Sequence, residues 1–135
     1  MTASTTPDSA MLASARTIGF LFTTDYDKTK GFFVDKLGFQ FVSQDQYGLV
    51  LRSGPNTVRV SKLPNFTPMQ GTVLGWEVSN IENAVAWLKQ RGVKPENYPF
   101  MKETDVCTFP TGDKVAWFKD PDGNILSVAQ HAKAD

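Results

Sequence analysis

The sequence predicts an α+β fold in which two βαβββ modules form a curved mixed sheet with the helices on its outer face. Short segments with alternating residue types indicate strands, and two capped amphipathic segments indicate helices. The second half of the chain repeats the order of the first. The helix caps Asp25 and Asn80 are about 55 residues apart, and so are Gly38 and Gly92, which end the helices. A constant offset indicates an internal repeat.

The first module is predicted to span residues 17–63. Residues 17–23 are aromatic and β-branched and predict a strand. Asp25 is the expected N-cap of a helix with apolar residues at every fourth position, and Gly38 ends that helix. Three further strands are predicted at 39–43, 48–52 and 57–62.

The second module is predicted to span residues 72–131, after a proline-containing linker at 64–71. Residues 73–78 predict its first strand. Asn80 caps its helix and Gly92 ends that helix. A proline-containing loop follows, and the last three strands are predicted at 104–109, 114–118 and 125–130.

Composition indicates an ordinary globular protein. Because 14 Lys and Arg residues balance 14 Asp and Glu residues, neither nucleic acid nor a membrane surface is an expected partner. The single cysteine, Cys107, cannot form an intrachain disulfide, so the fold does not depend on an oxidising compartment. Residues 1–16 lack the features of a signal peptide and predict a flexible tail. We therefore expect a cytoplasmic protein with one domain over residues 17–131.

The residues that commonly carry catalysis are scarce. With His131 as the only histidine, at the end of the chain, a Ser–His–Asp triad is not expected. Cys107 has no nearby histidine in the sequence and is expected to be a buried apolar residue. The Asp-Pro-Asp-Gly-Asn segment at 120–124 predicts a tight turn without a catalytic role.

Residues 118–130, Phe-Lys-Asp-Pro-Asp-Gly-Asn-Ile-Leu-Ser-Val-Ala-Gln, resemble the C-terminal signature of the vicinal oxygen chelate superfamily. That superfamily includes glyoxalase I, the extradiol dioxygenases and the bleomycin-resistance proteins. The opening that ends in Leu37-Gly38-Phe39 resembles its first module, and Trp76-Glu-Val-Ser-Asn80 resembles the start of its second. The resemblance implies a homodimer and, in the metal-free bleomycin-resistance-like members, a drug held between two subunits.

The resemblance also locates the metal ligands of the metal-using members, which are four strand positions carrying His, Glu or Gln. In this sequence those positions hold Ile18, Arg59, Val73 and Ser127. Aliphatic side chains have no lone pairs, a guanidinium repels a divalent ion, and a lone serine is a poor ligand. We therefore expect no metal and no cofactor. Glyoxalase I and extradiol dioxygenase activities, which need an ion, are not expected.

Strand alternation predicts which residues bind a ligand on the concave face. The candidate ligand-binding residues are Phe20, Phe22, Arg59, Glu77, Trp117 and Ser127. An aromatic surface with few polar groups is typical of a pocket for an organic molecule, here an aromatic or anionic one. Arg59 can bind a ligand carboxylate or phosphate, or it can pair with Glu77, and the sequence leaves both possibilities open.

Two other functions remain open at this point. An isomerase, lyase or dioxygenase of the same fold would act on a small oxygenated substrate. It would need either an ion bound elsewhere or a metal-free mechanism with Glu77 as the base and Arg59 as the electrophilic group. Alternatively, a non-catalytic interaction module would receive another protein on the concave face.

Overall fold

The computed structural model describes residues 10–132, whose strands form two four-stranded mixed sheets. The first sheet has the order β1-β4-β3-β2 and contains β1 (Ile18–Thr23), β2 (Gln40–Asp45), β3 (Gly48–Ser53) and β4 (Asn56–Lys62). The second has the order β5-β8-β7-β6 and contains β5 (Thr72–Glu77), β6 (Cys107–Thr108), β7 (Lys114–Lys119) and β8 (Ile125–Gln130). The β1–β4 and β5–β8 pairs are parallel and the other pairs are antiparallel.

Each sheet carries one helix in the expected place. Helix α1 (Tyr26–Lys30) continues into a π-helical segment (Gly31–Lys36), and α2 (Ile81–Gln90) belongs to the second module. Both predicted caps are formed, because a side-chain oxygen of Asp25 and one of Asn80 each accept a backbone N–H of the first turn. The predicted α+β class and the two βαβββ modules are confirmed.

Both helices end in a left-handed glycine, as the repeat predicts. Gly38 has a φ of 80° and Gly92 a φ of 76°, a region that residues with a Cβ rarely adopt. The offset between the modules therefore marks equivalent helix ends as well as equivalent helix starts.

The structure differs from the sequence expectation in the second half of the first helix. A regular helix would bury Phe33 in one stripe with Thr29 and Leu37. In the π-helical segment Leu37 N–H instead donates to the carbonyl of Phe32, at 3.0 Å. The wider turn brings both Phe32 and Phe33 into the core.

Two further expectations need correction. The strand predicted at 104–109 is reduced to β6, because Asp105 adopts a φ of 70° and its side chain binds Lys89 of α2 and Asn97 of the preceding loop. The described strands are hydrogen-bonded as two sheets and not as one long sheet. Residues 1–9 of the predicted tail lie outside the described residues.

A row of aromatic rings joins the two modules into one core. Phe39 contacts Phe33 of its own module and Trp76 of the second, at centroid distances of 5.3 and 5.6 Å. Trp76 stacks on Phe118, which lies 6.5 Å from Phe32 of the first module. One face of each sheet is thus buried in a shared core, and the opposite face is left open.

The Asp-Pro-Asp-Gly-Asn turn between β7 and β8 links the modules a second time. Asp122 accepts hydrogen bonds from the Thr23 hydroxyl and from the backbone N–H and hydroxyl of Thr24, at 2.5, 3.1 and 2.8 Å. Asn124 Nδ2 donates to the carbonyl of Phe22, at 3.0 Å. The turn therefore holds the end of β1 and the start of α1 against the second sheet.

None of the helices within residues 10–132 is both long enough and apolar enough to cross a membrane.

Candidate functional site

The open face of the first module is apolar and aromatic. Along β1 the side chains of Ile18, Phe20 and Phe22 are exposed, whereas Leu21 and Thr23 are buried in the core. Phe20 is 62% exposed, an unusual state for a large aromatic side chain. We call the surface made by Ile18, Phe20, Phe22 and Arg59 the first open face.

Arg59 supplies a half-buried cation to this face, and the exposed Arg52 of β3 lies on the same side of the sheet. Arg59 is the β4 partner of Phe20 in the parallel β1–β4 ladder. Its side chain lies across Gly48, with Nε and Nη2 each 3.4 Å from the point that a Cβ on Gly48 would occupy. Within residues 10–132 no hydrogen bond or ion pair involves the Arg59 guanidinium. The group is therefore free to bind an anion.

The open face of the second module carries Trp117 and Ser127. These residues are direct partners in the β7–β8 ladder, and Ser127 is also the partner of Gly75 on β5. A Cβ on Gly75 would lie only 2.6 Å from Ser127 Oγ, so the glycine provides the space that this hydroxyl occupies. Phe118, the neighbour of Trp117, is buried in the core.

An aromatic cluster that the sequence analysis missed surrounds Trp117. Tyr98 and Phe100 stack on each other at 5.8 Å, and both meet Trp117 edge-on, at 5.7 and 5.8 Å. The cluster borders a cavity of about 320 Å³. The cavity is also lined by Gln70, Gly71, Thr72, Lys119 and Ile125. The signal in the sequence was the Tyr98-Pro-Phe100 triplet, which lies in a loop where strand alternation says nothing about direction.

The two open faces meet where β1 runs beside β5. Ile18 and Gly75 line one cleft of about 220 Å³ between these strands. Since Gly75 adjoins Ser127, the structure brings Ile18 and Ser127 to the same region. Val73 lies at a β-bulge between Thr72 and Leu74, so the regular alternation assumed for β5 is interrupted there.

Glu77 is not brought together with Arg59. The Glu77 side chain is 74% exposed at the end of β5, and His131 Nε2 lies 3.8 Å from its carboxylate. No ion pair joins Arg59 and Glu77 among the described residues.

The residues at the family's ligand positions do not fit a metal ion. Ile18 and Val73 offer hydrocarbon, Arg59 offers a cation and Ser127 offers one neutral hydroxyl. Within residues 10–132, no group of three or more His, Cys, Asp or Glu side chains is placed to hold a metal. We therefore derive no chemical step through an ion at this site.

Comparison with known proteins agrees with this architecture. The model of the Glyoxalase/Bleomycin resistance protein/Dioxygenase superfamily matches residues 13–128. No curated protein sequence matches the chain. A glyoxalase family protein from Enterococcus faecalis is similar in structure, with 23% identity and a TM-score of 0.65, over 84% of this chain and 94% of that one.

Two other solved structures show the same likeness. A glyoxalase/bleomycin resistance protein/dioxygenase from Nocardioides has 17% identity and a TM-score of 0.67, over 93% of this chain and 91% of that one. One from Alicyclobacillus acidocaldarius has 16% identity and a TM-score of 0.69, over 91% of this chain and 96% of that one. At these identities the likeness establishes the fold alone.

Proposed function

Because the chain belongs to the Glyoxalase/Bleomycin resistance protein/Dioxygenase superfamily, we propose that it is a metal-independent protein that binds an aromatic or anionic organic molecule. The ligand lies on the first open face and extends toward Trp117 and Ser127. The two faces supply aromatic area for a planar ring and, in Arg59, a half-buried cation for a negative group. These are the elements that orient a small molecule in a largely apolar pocket.

The observation that carries this proposal is the unpaired Arg59 guanidinium beside exposed aromatic side chains. A half-buried cation loses hydration, and without a partner it gains nothing in return. An anionic ligand supplies that partner, and its aromatic part covers Phe20 and Phe22. The resulting charge-assisted hydrogen bonds are favoured where the bound aromatic ring excludes water from them.

We also propose that the protein is a homodimer. The first open face presents a continuous apolar strand surface, and such surfaces mark interaction sites in soluble proteins. A second copy would cover part of it and leave the ligand between two subunits. Since the only cysteine is unpaired and buried, we propose that the protein acts in the cytoplasm.

Binding can be tested by calorimetry with 2-naphthoate and its neutral amide as probes, in buffer containing a chelator. The parent protein should prefer the carboxylate, and Arg59→Gln should remove that preference. The control is Lys94→Gln, which removes an exposed cation outside both open faces.

A preference for the carboxylate that survives in Arg59→Gln would show that another cation binds the anion. Loss of binding in the chelator, together with stoichiometric metal in the purified protein, would overturn metal independence. A thermal-shift screen with glycopeptide, quinone and other aromatic antibiotics extends the test to larger ligands. If no aromatic compound stabilises the protein, the binding function itself is contradicted.

A further inference from the structure

A second concave site lies on the core side of the sheets, where α2 meets the first module, and it shares Ser53 and Trp76 with the cleft between β1 and β5. This groove has a volume of about 320 Å³, within the range of small-ligand pockets. It is lined by Leu37, Phe39 and Ser53 of the first module and by Trp76, Val78, Ala84, Trp87, Leu88 and Val128 of the second. Because both modules contribute to it, a bound molecule would bridge them.

The lining of the groove is almost entirely apolar. Its single hydroxyl, on Ser53, already accepts a hydrogen bond from Trp76 Nε1, at 3.1 Å. The floor includes the buried Leu88, and the rim includes Trp87, which is 38% exposed. Apolar cavities without unsatisfied polar groups favour hydrocarbon over water. The interior therefore suits an alkyl chain or another apolar body.

Two cations, Arg91 and Lys36, adjoin the residues Trp87 and Leu37 that line the groove. Residues three and four apart share a helix face, so Arg91 continues the face of Ala84 and Trp87 at the C-terminal end of α2. Its guanidinium carbon lies 3.8 Å from the centre of the Trp87 ring. Lys36 Nζ is 4.0 Å from the point that a Cβ on Gly92 would occupy.

Neither cation is neutralised by an acid. Within residues 10–132, no ion pair involves Lys36 or Arg91. Lys36 ends the π-helical segment and Arg91 follows α2, and at such positions a cation also complements the helix dipole. Arg91 Nη1 donates to the carbonyl of Trp87, at 3.3 Å, which leaves the other N–H groups of the guanidinium available to an anion at the edge of the groove.

We propose that this groove binds an amphiphilic anion, a molecule with a medium-length apolar body and one carboxylate or similar head group. The apolar body lies between Ala84 and Phe39, and the head group lies beside Arg91 and Lys36. This site is separate from the first open face and does not depend on the function proposed there.

The test is a calorimetric titration with decanoate and with the neutral decanol. Ala84→Met fills the groove from a helical position, and it should weaken binding of both probes by about tenfold or more. The matched control is Ala86→Met, which adds the same side chain at an exposed position of the same helix. The double variant Lys36→Gln/Arg91→Gln should weaken decanoate by about fivefold and leave decanol unchanged. The charge control is Lys94→Gln, which replaces an exposed lysine outside the groove.

Several results would overturn the proposal. One is decanoate binding that is equal in Ala84→Met and Ala86→Met. Another is a decanoate-to-decanol ratio that the double variant does not change. If Ala84→Met abolishes self-association while neither probe binds the parent protein, the occupant is a second copy of the chain. If Phe20→Ser abolishes decanoate binding and Ala84→Met does not, the probe has bound the first open face.

Discussion

Arg59 illustrates how a binding residue can cost stability. Its guanidinium is half-buried, lies over the bare backbone of Gly48 and has no acidic partner among the described residues. Arg59→Leu keeps the side-chain volume and removes the charge. We expect the free energy of unfolding to stay constant or to rise by about 1 kcal/mol, because the substitution removes the desolvation penalty of an unpaired charge. Urea unfolding measures this change, and a loss of stability would show that Arg59 has a structural role.

A second prediction concerns Gly75 and Ser127. A Cβ on Gly75 would lie 2.6 Å from Ser127 Oγ, so Gly75→Ala should destabilise the fold by about 1–3 kcal/mol through overpacking. Ser127→Ala alone should change stability little, because the hydroxyl is half-exposed and donates to no described residue. In the double variant part of the Gly75→Ala loss should be recovered. Additive losses in thermal unfolding would argue against the β5–β8 register.

Strand alternation was sufficient to predict the residues of the first open face. Ile18, Phe20 and Phe22 face one way because β1 is regular over its whole length. Tyr98 and Phe100 could not be placed in this way, because loop residues have no fixed period. The sequence also could not predict that Arg59 has no acidic partner among the described residues, because pairing with Glu77 depends on how the two sheets are arranged.

At the scale of elements, the β7–β8 turn acts as a clamp on the first module through Asp122. Burial raises the pKa of this carboxyl, but hydrogen bonds from Thr23 and Thr24 and the charge of Lys28 outweigh burial and lower the pKa below the ordinary 3.8. A lowered pKa means that the ionised group stabilises the fold above its ordinary pKa. This contribution is lost as the pH falls through the folded-state pKa.

Asp122→Asn should therefore destabilise the protein by about 1–3 kcal/mol at neutral pH. The difference from the parent should shrink as the pH falls below about 4, the ordinary range of an aspartate. Chemical unfolding at several pH values measures it. Asp35→Asn, at an exposed position of the first helix, is the control. A difference that does not change with pH would mean that ionisation of Asp122 plays no part in the clamp.

The pKa of Asp120 is shifted in the opposite direction from that of Asp122. Burial raises the pKa of the Asp120 carboxyl, and hydrogen bonds from Asn124 only partly oppose that effect. Its protonated form is favoured in the fold, so its contribution to stability improves below the ordinary pKa and is lost as the pH rises through the raised value. The role of Asp122 is therefore measured as the difference between the parent and Asp122→Asn at each pH.

The helix caps give a prediction about the repeat. Asn80→Ala removes the side-chain acceptor of the Asn83 N–H and should cost about 1 kcal/mol, and Asp25→Ala should cost a similar amount. Thermal unfolding of both single variants measures this. If one substitution is neutral while the other unfolds the protein, the two caps are not equivalent.

Helix boundaries were readable from the sequence because caps and left-handed glycines are local features. The π-helical segment was not readable, since burial of both Phe32 and Phe33 is decided by the shared core. The shortening of β6 has a similar origin. Asp105 is held by Lys89 and Asn97, which are too far away in the sequence for local strand propensity to take their contacts into account.

At the scale of the whole molecule, each module buries one sheet face in a common core and leaves the other open. A second copy of the chain is the proposed cover for the exposed strand β1. We expect light scattering to give twice the chain mass of 14.9 kDa at micromolar concentration. Phe20→Ser should shift the protein toward the monomer, because it removes an aromatic ring that is already exposed in the single chain. A monomer in the parent protein would contradict the proposed dimer.

The central claim is that the open sheet faces bind an organic anion without a metal. The most direct test is a crystal structure of the protein grown with 2-naphthoate. We predict that the carboxylate lies on Arg59 and the ring on Phe20, with no cation among Ile18, Val73 and Ser127. A naphthoate bound elsewhere, or a metal ion coordinated at those positions, would contradict the claim.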